Sequence, residues 1–440
     1  MEEKITRPSV GIITLGCKVN QYESEAIAEA FEAQGFTVCA PHLPCDVYVV
    51  NTCTVTAESD RKAGQLIRRA ALKNPNARIL VTGCFSQSQP ERAAALAHVD
   101  YVCGNTDKLS VVKMAKKLLN TPKGEPILCV SDVQTAPFEP MTITHFDRTR
   151  AYVKIEDGCE NRCAYCAIPG ARGKVRSKPL ADVVSEVEGL VRGGCREVVL
   201  TGIETASWGK DLEGVTLADL LFAVDQIEGL ERMRLGSLDP TVMREEFVQR
   251  IAKMRTVVPH FHLSMQSGSA KVLAAMRRKY NPEQAMAGIE RLRAAMPDVE
   301  LTTDFIVGFP GETEEDFAAT MAFAEKAEFL QMHVFAYSKR EGTPAATMPG
   351  QIPADVKKQR SAALIALSNK LTQARLLRAL EKPLRTVLFE TYENGFAVGH
   401  TDEFFEVAVP SDIPLHAQLR TVRLLRAEDG RLFATPEEHV

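Results

Sequence analysis

The sequence predicts an α/β protein in three parts: an amino-terminal doubly wound parallel sheet, a central partial (β/α)6 barrel and a small carboxyl-terminal all-β barrel. Its 440 residues are too many for one ordinary core. Short apolar runs alternate with helical stretches in two successive regions, which is typical of parallel sheets. From Lys382 onward the chain changes to short β-type runs with turn residues between them, the pattern of a small antiparallel barrel.

Composition and charge narrow the function classes. Hydrophobic residues make up 45% and charged residues 25% of the chain, which excludes a protein disordered throughout. The net charge of −4 excludes a global positive field, so local basic patches would have to bind any nucleic acid. The chain does not start with a basic region and a long apolar core, and no stretch reaches the roughly 18 apolar residues of a membrane span. We therefore expect a cytoplasmic protein.

The cysteines indicate metal ligation. There are 11, an odd number and a low density for a disulfide scaffold, so a reducing compartment is favoured. In the first region Cys17, Cys53 and Cys84 each follow an apolar run that we interpret as a strand. The carboxyl ends of parallel strands share one edge, where ligands collect, so these thiols could meet. On the residues alone, buried packing cysteines are the alternative.

The second alternating region has six strand candidates, which predicts a partial barrel whose site lies where the strands end. The proline-containing stretch 121–150 is typical of a linker. We expect an amino-terminal domain over residues 1–125, the barrel over 145–350, a connecting helix over 351–380 and the carboxyl-terminal barrel over 381–440.

A cysteine triplet at the end of the first barrel strand carries the strongest chemical signal. Cys159, Cys163 and Cys166 have the spacing Cys-x3-Cys-x2-Cys, and three such close thiolates hold a soft metal centre. Zinc is a competing occupant, but no fourth Cys or His lies just downstream to complete its shell. A 4Fe-4S cluster bound through three irons would leave one iron open to chelate a cofactor.

The triplet, with Tyr165 before its last cysteine, resembles the signature of the radical S-adenosylmethionine superfamily. The resemblance implies that the open iron binds the amino and carboxyl groups of S-adenosylmethionine and that one electron then produces a 5′-deoxyadenosyl radical. The segments TGIE, HLSMQSGS, DFIVGFPGE and VFAYS resemble the cofactor-contacting strands of this superfamily. The cofactor contacts implied are Tyr165, Gly202, Glu204, Ser264, Gln266, Ser267, Gly308, Glu312, Val334 and Phe335.

The part of the chain before the triplet resembles the amino-terminal domain of the radical methylthiotransferases. The resemblance lies in three runs, TLGCKVNQYESE, NTC and VTGC. This implies that Cys17, Cys53 and Cys84 hold a second 4Fe-4S cluster, which carries the sulfur to be transferred, while the first is held by Cys159, Cys163 and Cys166. Both clusters must then face one cavity, because proximity provides most of the catalysis. The resemblance implies an electron donor such as a flavodoxin or ferredoxin as a partner. It does not imply that the protein binds DNA or a membrane.

Members of this family act on tRNA adenosines beside the anticodon or on an aspartate of a ribosomal protein. Two runs of the chain most resemble the motifs of one branch of the family, TLGCKVN and AIPGARGKVRS. Enzymes of this branch attach a methylthio group to carbon 2 of threonylcarbamoyladenosine at position 37 of tRNA. Action on isopentenyladenosine or on the ribosomal aspartate stays open, and a non-catalytic iron-sulfur RNA-binding protein is the alternative of another class.

The carboxyl-terminal barrel resembles the TRAM domain, an RNA-binding module of this family. Its six basic residues face eleven acidic ones, which weakens the case for a strong electrostatic grip. A basic run directly after the triplet, where a flipped nucleotide would approach, is the better candidate for contact with the anticodon stem-loop. This run consists of Arg172, Lys174, Arg176 and Lys178.

Overall fold

In the computed structural model, which describes residues 7–54, 57–146 and 148–437, the chain begins with a six-stranded parallel sheet. The strand order β2-β1-β3-β4-β5-β6 confirms the predicted doubly wound arrangement. The central strands β3 and β4 are buried along their whole length because helices cover both faces. The elements are β1 Ser9–Thr14, α1 Lys18–Ala33, β2 Thr37–Cys39, β3 Val47–Thr52, α2 Ala57–Lys73, β4 Arg78–Gly83, α3 Cys84–Ser88, α4 Pro90–Ala94, β5 Tyr101–Cys103, α5 Ser110–Leu119 and β6 Ile127–Cys129.

The last strand of this sheet lies in the stretch predicted to be a linker. Strand β6 pairs with β5 at the sheet edge and has only three residues, all exposed. A strand this short and exposed has no alternation of apolar and polar residues, so its sequence carries no strand signal. The first sheet therefore extends to Cys129.

The central region forms six parallel strands in chain order, as predicted for a partial (β/α)6 barrel. Two three-stranded sheets, β7-β10-β11 and β12-β13-β14, are joined by the bridge Leu238–Leu263. The elements are β7 Ala151–Lys154, β8 Glu156–Asp157, α6 Ile168–Arg172, β9 Arg176–Ser177, α7 Leu180–Arg192, β10 Glu197–Thr201, α8 Leu217–Asp225, β11 Arg232–Leu235, α9 Glu245–Ile251, β12 His260–Gln266, α10 Ala270–Ala275, α11 Pro282–Ala295, β13 Glu300–Val307, α12 Glu314–Ala327 and β14 Gln331–Ala336.

The barrel strands have an apolar outer face and a polar inner face. On β12, Phe261, Leu263 and Met265 are buried in the main hydrophobic core, and the residues between them face the other way. On that inner face one side-chain ligand atom each of His262, Asp304 and His333 lies within 4.8 Å of the others. The barrel interior between the strands is thus lined by polar and charged side chains.

The chain ends in a closed five-stranded barrel, as predicted from the change in sequence texture. It follows a helix of 26 residues. No helix in the described ranges is both long and apolar enough to cross a membrane. The elements are α13 Ala354–Ala379, β15 Leu384–Glu393, β16 Phe396–Thr401, β17 Glu406–Pro410, β18 Leu419–Glu428 and β19 Arg431–Pro436.

The turn between β16 and β17 closes the amino-terminal end of the central barrel. Phe404 lies between the rings of His260 and His400, with both centroid distances 4.5 Å. Arg234 donates to the carbonyl oxygen of Thr401 at 2.7 Å, and Arg232 pairs with Asp402 at 2.6 Å. Because this end of the barrel is blocked, a substrate has to enter from the opposite end, where the cysteines lie.

Candidate active site between two cysteine trios

The first trio lies on the loop between β8 and α6. The Cys159 amide donates to the Gly173 carbonyl at 2.9 Å, and the Cys166 amide to the Cys163 carbonyl at 3.1 Å, so backbone bonds hold the loop closed. Gly158 is required here because it has φ +90° and a Cβ would lie 1.8 Å from the Lys174 carbonyl oxygen. Burial raises the pKa of Cys159 to about 12 and that of Cys166 to about 11. Burial raises the pKa of Cys103 and Cys195, outside both trios, in the same way, so it is the spacing on one closed loop that marks these three thiols as ligands.

The second trio is brought together by neighbouring strands. Cys17, Cys53 and Cys84 follow β1, β3 and β4, which lie side by side in the sheet. Cys17 is also the N-cap residue of α1 and is exposed, whereas the other two are buried. A Cβ on Gly16 would lie 3.1 Å from the Cys53 sulfur. The parallel strands thus place the three cysteines at one edge of the sheet.

The two trios face each other. The charge of Cys84 acts on the pKa of both Cys17 and Cys166, so sulfurs of the two trios lie within electrostatic range. Arg172 lies between them, since it ends α6, six residues after Cys166, and its Nε donates to the Cys84 sulfur at 3.2 Å. A hydrogen bond of this kind is what a thiolate ligand of a metal centre receives from its surroundings.

Five buried charges, which we call the interdomain ion cluster, join the first sheet to the barrel beside Cys84. Glu23 accepts from Arg172 at 2.5 Å and from Lys154 at 3.0 Å, and it also pairs with Lys108. Asp157 completes the cluster at 3.2 Å from Arg172. Burial alone would raise the pKa of Glu23, but the three cations hold it well below its usual range. Three cations against two carboxylates leave positive charge beside the second trio, which suits an anionic thiolate-ligated cluster.

The predicted RNA-contacting run needs correction for three of its four members. Arg172 is fully buried in the interdomain ion cluster, Arg176 is 8% exposed and donates to the Arg172 carbonyl at 2.7 Å, and Lys178 is 2% exposed and pairs with Glu186. They are buried because β9 pairs with β8 and lies inside the protein. Only Lys174 is exposed and available to an external phosphate.

Glu204 is the predicted cofactor contact with the clearest opening for a ligand. Its Oε2 accepts from Asn161 of the first cysteine loop at 3.1 Å, while its buried Oε1 has no hydrogen-bond partner in the described residues. Burial, assisted by Asp239, raises its pKa to about 7. Gly202 brings this turn close to the barrel wall, since a Cβ there would lie 2.6 Å from Glu156 Oε2. The unpartnered oxygen fits a cation donor such as an ammonium group.

The fourth strand ends in a bulge whose backbone is held by side chains of the protein. The register of β12 against β13 shifts between Leu263 and Gln266, and Gln266 has φ +64°. The Ser264 carbonyl accepts from Tyr280 at 2.8 Å. Ser267 differs from the prediction, because it is fully buried and its hydroxyl is bonded to Thr320 at 3.2 Å. It therefore supports the bulge from inside and has no free face for a ligand.

The loop after β13 is built around an ion pair. Glu312 accepts from Arg360 at 2.8 Å and from the Gly308 amide, so the predicted cofactor contact Glu312 is occupied within the protein. Its role is to order the loop that begins at Gly308, which has φ +70°. On β14, Phe335 is 49% exposed on the inner face, and Val334 packs against the main core. Tyr165 packs against a small cluster that includes Met276 and Phe309.

Arg278 is a site residue that the sequence did not reveal. Its Nη1 donates to the Cys163 sulfur at 3.3 Å and its Nη2 to Asp239 at 2.6 Å, and its guanidinium lies 5.1 Å from the Tyr280 ring centroid. In the sequence it belongs to a basic run, Arg277 to Lys279, that suggests a solvated surface. The charged residue Lys154 inside the apolar strand AYVKIED was the one available signal for the interdomain ion cluster.

Comparisons with known proteins show which family the chain resembles. Residues 153–324 match the radical SAM superfamily, and residues 9–104 match the uncharacterized protein family UPF0004. The chain is 39% identical to threonylcarbamoyladenosine tRNA methylthiotransferase MtaB of Bacillus subtilis over 98% of both chains, and 40% identical to the Thermotoga maritima protein of that name over 90% of both. It is 37% identical to tRNA-2-methylthio-N(6)-dimethylallyladenosine synthase of Carboxydothermus hydrogenoformans, over 82% of this chain and 83% of that one.

Solved structures show the same fold at low identity. The radical S-adenosylmethionine methyltransferase TsrM of Kitasatospora setae superposes with a TM-score of 0.56 and 16% identity, covering 78% of this chain and 77% of that one. The likeness extends beyond the residues that match the superfamily, so the amino-terminal sheet and the barrel together follow a known arrangement.

Proposed function

Because the chain belongs to the family of radical SAM tRNA methylthiotransferases, we propose that it attaches a methylthio group to carbon 2 of threonylcarbamoyladenosine at position 37 of tRNA. The observation that carries the proposal is the similarity to the Bacillus subtilis enzyme over 98% of both chains. The facing cysteine trios support it, since transfer between two centres needs both at one cavity.

The enzyme uses two 4Fe-4S clusters and S-adenosylmethionine. We propose that Cys159, Cys163 and Cys166 hold one cluster and that Cys17, Cys53 and Cys84 hold the other. When bound, the first cluster and S-adenosylmethionine supply the radical that activates a carbon–hydrogen bond, and the second cluster supplies the sulfur. Arg278 and Arg172 each donate to one ligand sulfur, Cys163 and Cys84 respectively, and fix its position.

The predicted cofactor contacts divide into two groups. Glu204 offers a buried oxygen that has no hydrogen-bond partner among the described residues, and Gly202 and the bulge at Ser264 and Gln266 follow strands that end at the same side of the barrel. We assign these to S-adenosylmethionine, together with the lining residues Tyr165, Gly308, Val334 and Phe335. Ser267 and Glu312 position the neighbouring loops instead.

The RNA must reach the cavity from the cysteine end. Lys174 lies next to the first cysteine loop and is exposed, so we propose that it contacts the anticodon stem-loop. In the carboxyl-terminal barrel, Arg423 pairs with Glu437 at 2.8 Å and Arg431 with Glu406 at 2.9 Å. Internal pairing leaves this barrel to recognise RNA chiefly by shape. A flavodoxin or ferredoxin is the proposed electron donor, and a cytoplasmic location is proposed because the proposed substrate is a tRNA.

The proposal is tested by mass spectrometry of nucleosides from the tRNA of a host that lacks its own methylthiolating enzymes. Expression of this chain should add a nucleoside one methylthio group heavier than threonylcarbamoyladenosine, and a Cys163→Ala control should not. If the methylthio group were instead detected on isopentenyladenosine or on a ribosomal-protein aspartate, the proposed substrate would be wrong. The proposed reaction, methylthio transfer, would still hold.

Replacing Glu204 with glutamine should weaken S-adenosylmethionine binding about 10-fold near pH 8, because an ammonium group loses a charged acceptor. The wild-type carboxyl ionises as pH rises through its pKa of about 7, so wild-type affinity should increase from about pH 6 to about pH 8. Equilibrium dialysis with the reconstituted protein measures both.

The exposed Glu213 provides the matched control, since Glu213→Gln makes the same change outside the site. Its affinity should follow the wild-type pH profile. If the affinity of Glu204→Gln for S-adenosylmethionine depended on pH as that of wild type does, Glu204 would not be a contact of the cofactor.

A further inference from the structure

A lysine without a hydrogen-bond partner among the described residues lies beside the second trio and within electrostatic range of the barrel interior. Lys18 is the first residue of α1 and follows the second-trio residue Cys17 directly, and both side chains are exposed. Within residues 7–54, 57–146 and 148–437, no side chain or carbonyl forms a hydrogen bond or ion pair with Lys18. This sets it apart from the buried lysines of the interdomain ion cluster.

Lys18 points into the space between the first sheet and the inner face of the barrel. The charges of Arg150, Arg234 and Asp304 all act on it, so it lies within electrostatic range of β11 and β13. His333 on β14 is also within range of Lys18, and burial lowers the pKa of His333 although its side chain is exposed. A side chain that is both accessible and surrounded by protein lies in a deep, open cavity.

The other charges in this cavity are already paired. Arg150 binds Glu197 at 2.7 Å and also Glu390, and Arg234 binds Glu197 at 2.8 Å. Asp304 is 3.2 Å from the His262 ring nitrogen. Among the described residues that act on one another here, Lys18 is thus the cation left for an anionic group that enters the cavity, and the amino-terminal end of α1 adds its partial positive charge at the same place.

The substrate of the proposed function carries such an anion. The threonylcarbamoyl group on N6 of adenosine ends in a carboxylate, and the ring carbon bearing N6 is separated from carbon 2 by one ring nitrogen. Sulfur delivered from the second trio to carbon 2 thus brings the N6 substituent close to that trio, and Lys18 is the residue next to Cys17.

We propose that the Lys18 ammonium binds the carboxylate of the threonylcarbamoyl group and so selects this adenosine over those with uncharged N6 substituents. The inference rests on the proposed function. It assigns substrate choice to a residue adjacent to a cluster ligand.

The test measures binding of anticodon stem-loop RNA to the reconstituted holoenzyme with S-adenosylmethionine and without an electron donor. Two RNAs are compared, one with threonylcarbamoyladenosine and one with its methyl ester. The ester lacks the negative charge of the threonyl carboxylate. Fluorescence anisotropy should show wild type binding the free acid ~10- to 100-fold more tightly than the ester. Lys18→Met should bind both about equally, and Lys18→Arg should keep most of the preference.

Two controls separate an effect on substrate binding from a general loss of charge or of structure. Lys113→Met removes a charge from an exposed face of α5 and should bind like wild type. Formation of 5′-deoxyadenosine by Lys18→Met after reduction shows that its cofactor site is intact.

Two outcomes overturn the inference. One is a Lys18→Met variant that still prefers the acid as wild type does, and the other is an equal loss of affinity for acid and ester, which would make Lys18 a phosphate contact. Turnover of the free-acid RNA by wild type tests the proposed function separately, so failure of the function and failure of the Lys18 assignment give different results.

Discussion

Arg172→Met is expected to lower the free energy of unfolding by about 3–5 kcal/mol, the usual cost of removing one partner from a buried ion pair. Arg172 is fully buried, and its guanidinium contacts Glu23, Asp157 and the Cys84 sulfur. Methionine fills a similar volume and leaves those carboxylates with Lys108, Lys154 and Arg176 as their remaining cationic partners. The variant should also lose iron at the second trio, because the Cys84 ligand loses its donor.

Urea unfolding followed by fluorescence measures this loss. Trp208 is the one tryptophan of the chain, and its indole N–H donates at 3.0 Å to the carbonyl of Lys178, the residue directly after β9. Arg192→Met is the matched control, since Arg192 is exposed and pairs with Glu188 at 3.8 Å; it should change stability by less than about 0.5 kcal/mol. Equal midpoints for the two variants would show that the interdomain ion cluster contributes little to stability.

The second large effect separates the two clusters. Cys163→Ala should abolish reductive formation of 5′-deoxyadenosine, because Cys163 belongs to the trio beside the S-adenosylmethionine contacts. Cys53→Ala should keep much of that formation and stop methylthio transfer, because it removes a ligand of the sulfur-carrying centre. Liquid chromatography with mass spectrometry of both products, alongside iron content, measures the difference.

Cys129→Ala is the matched control for a lost thiol, since Cys129 is exposed on the edge strand β6 and belongs to neither trio. It should keep both products and all of the iron. If Cys163→Ala and Cys53→Ala lost 5′-deoxyadenosine equally, the two trios could not have separate roles.

The sequence predicted the two trios and the architecture because their signals are local. The triplet from Cys159 to Cys166 spans eight residues, and Cys17, Cys53 and Cys84 are each marked by the strand before them. Once those strands are parallel, their ends must share an edge. The carboxyl-terminal barrel was equally predictable from its short alternating runs.

The burial of the basic run was not predictable, because it depends on contacts between distant parts of the chain. Arg172 meets Glu23 across 149 positions, and no pattern near either residue shows the pairing. The same holds for Arg278, which reaches Cys163 across 115 positions. A basic run looks alike in sequence whether it faces solvent or a buried carboxylate, and tertiary packing decides between them.

The interdomain ion cluster also constrains how such an enzyme can be recombined. The amino-terminal sheet contributes Glu23 and Lys108, and the barrel contributes Lys154, Asp157 and Arg172. A chimera that takes its amino-terminal half from a relative with other residues at the first two positions would bury mismatched charges at the seam. The two domains therefore cannot be exchanged independently between relatives. A chimera has to keep all five residues of the interdomain ion cluster together.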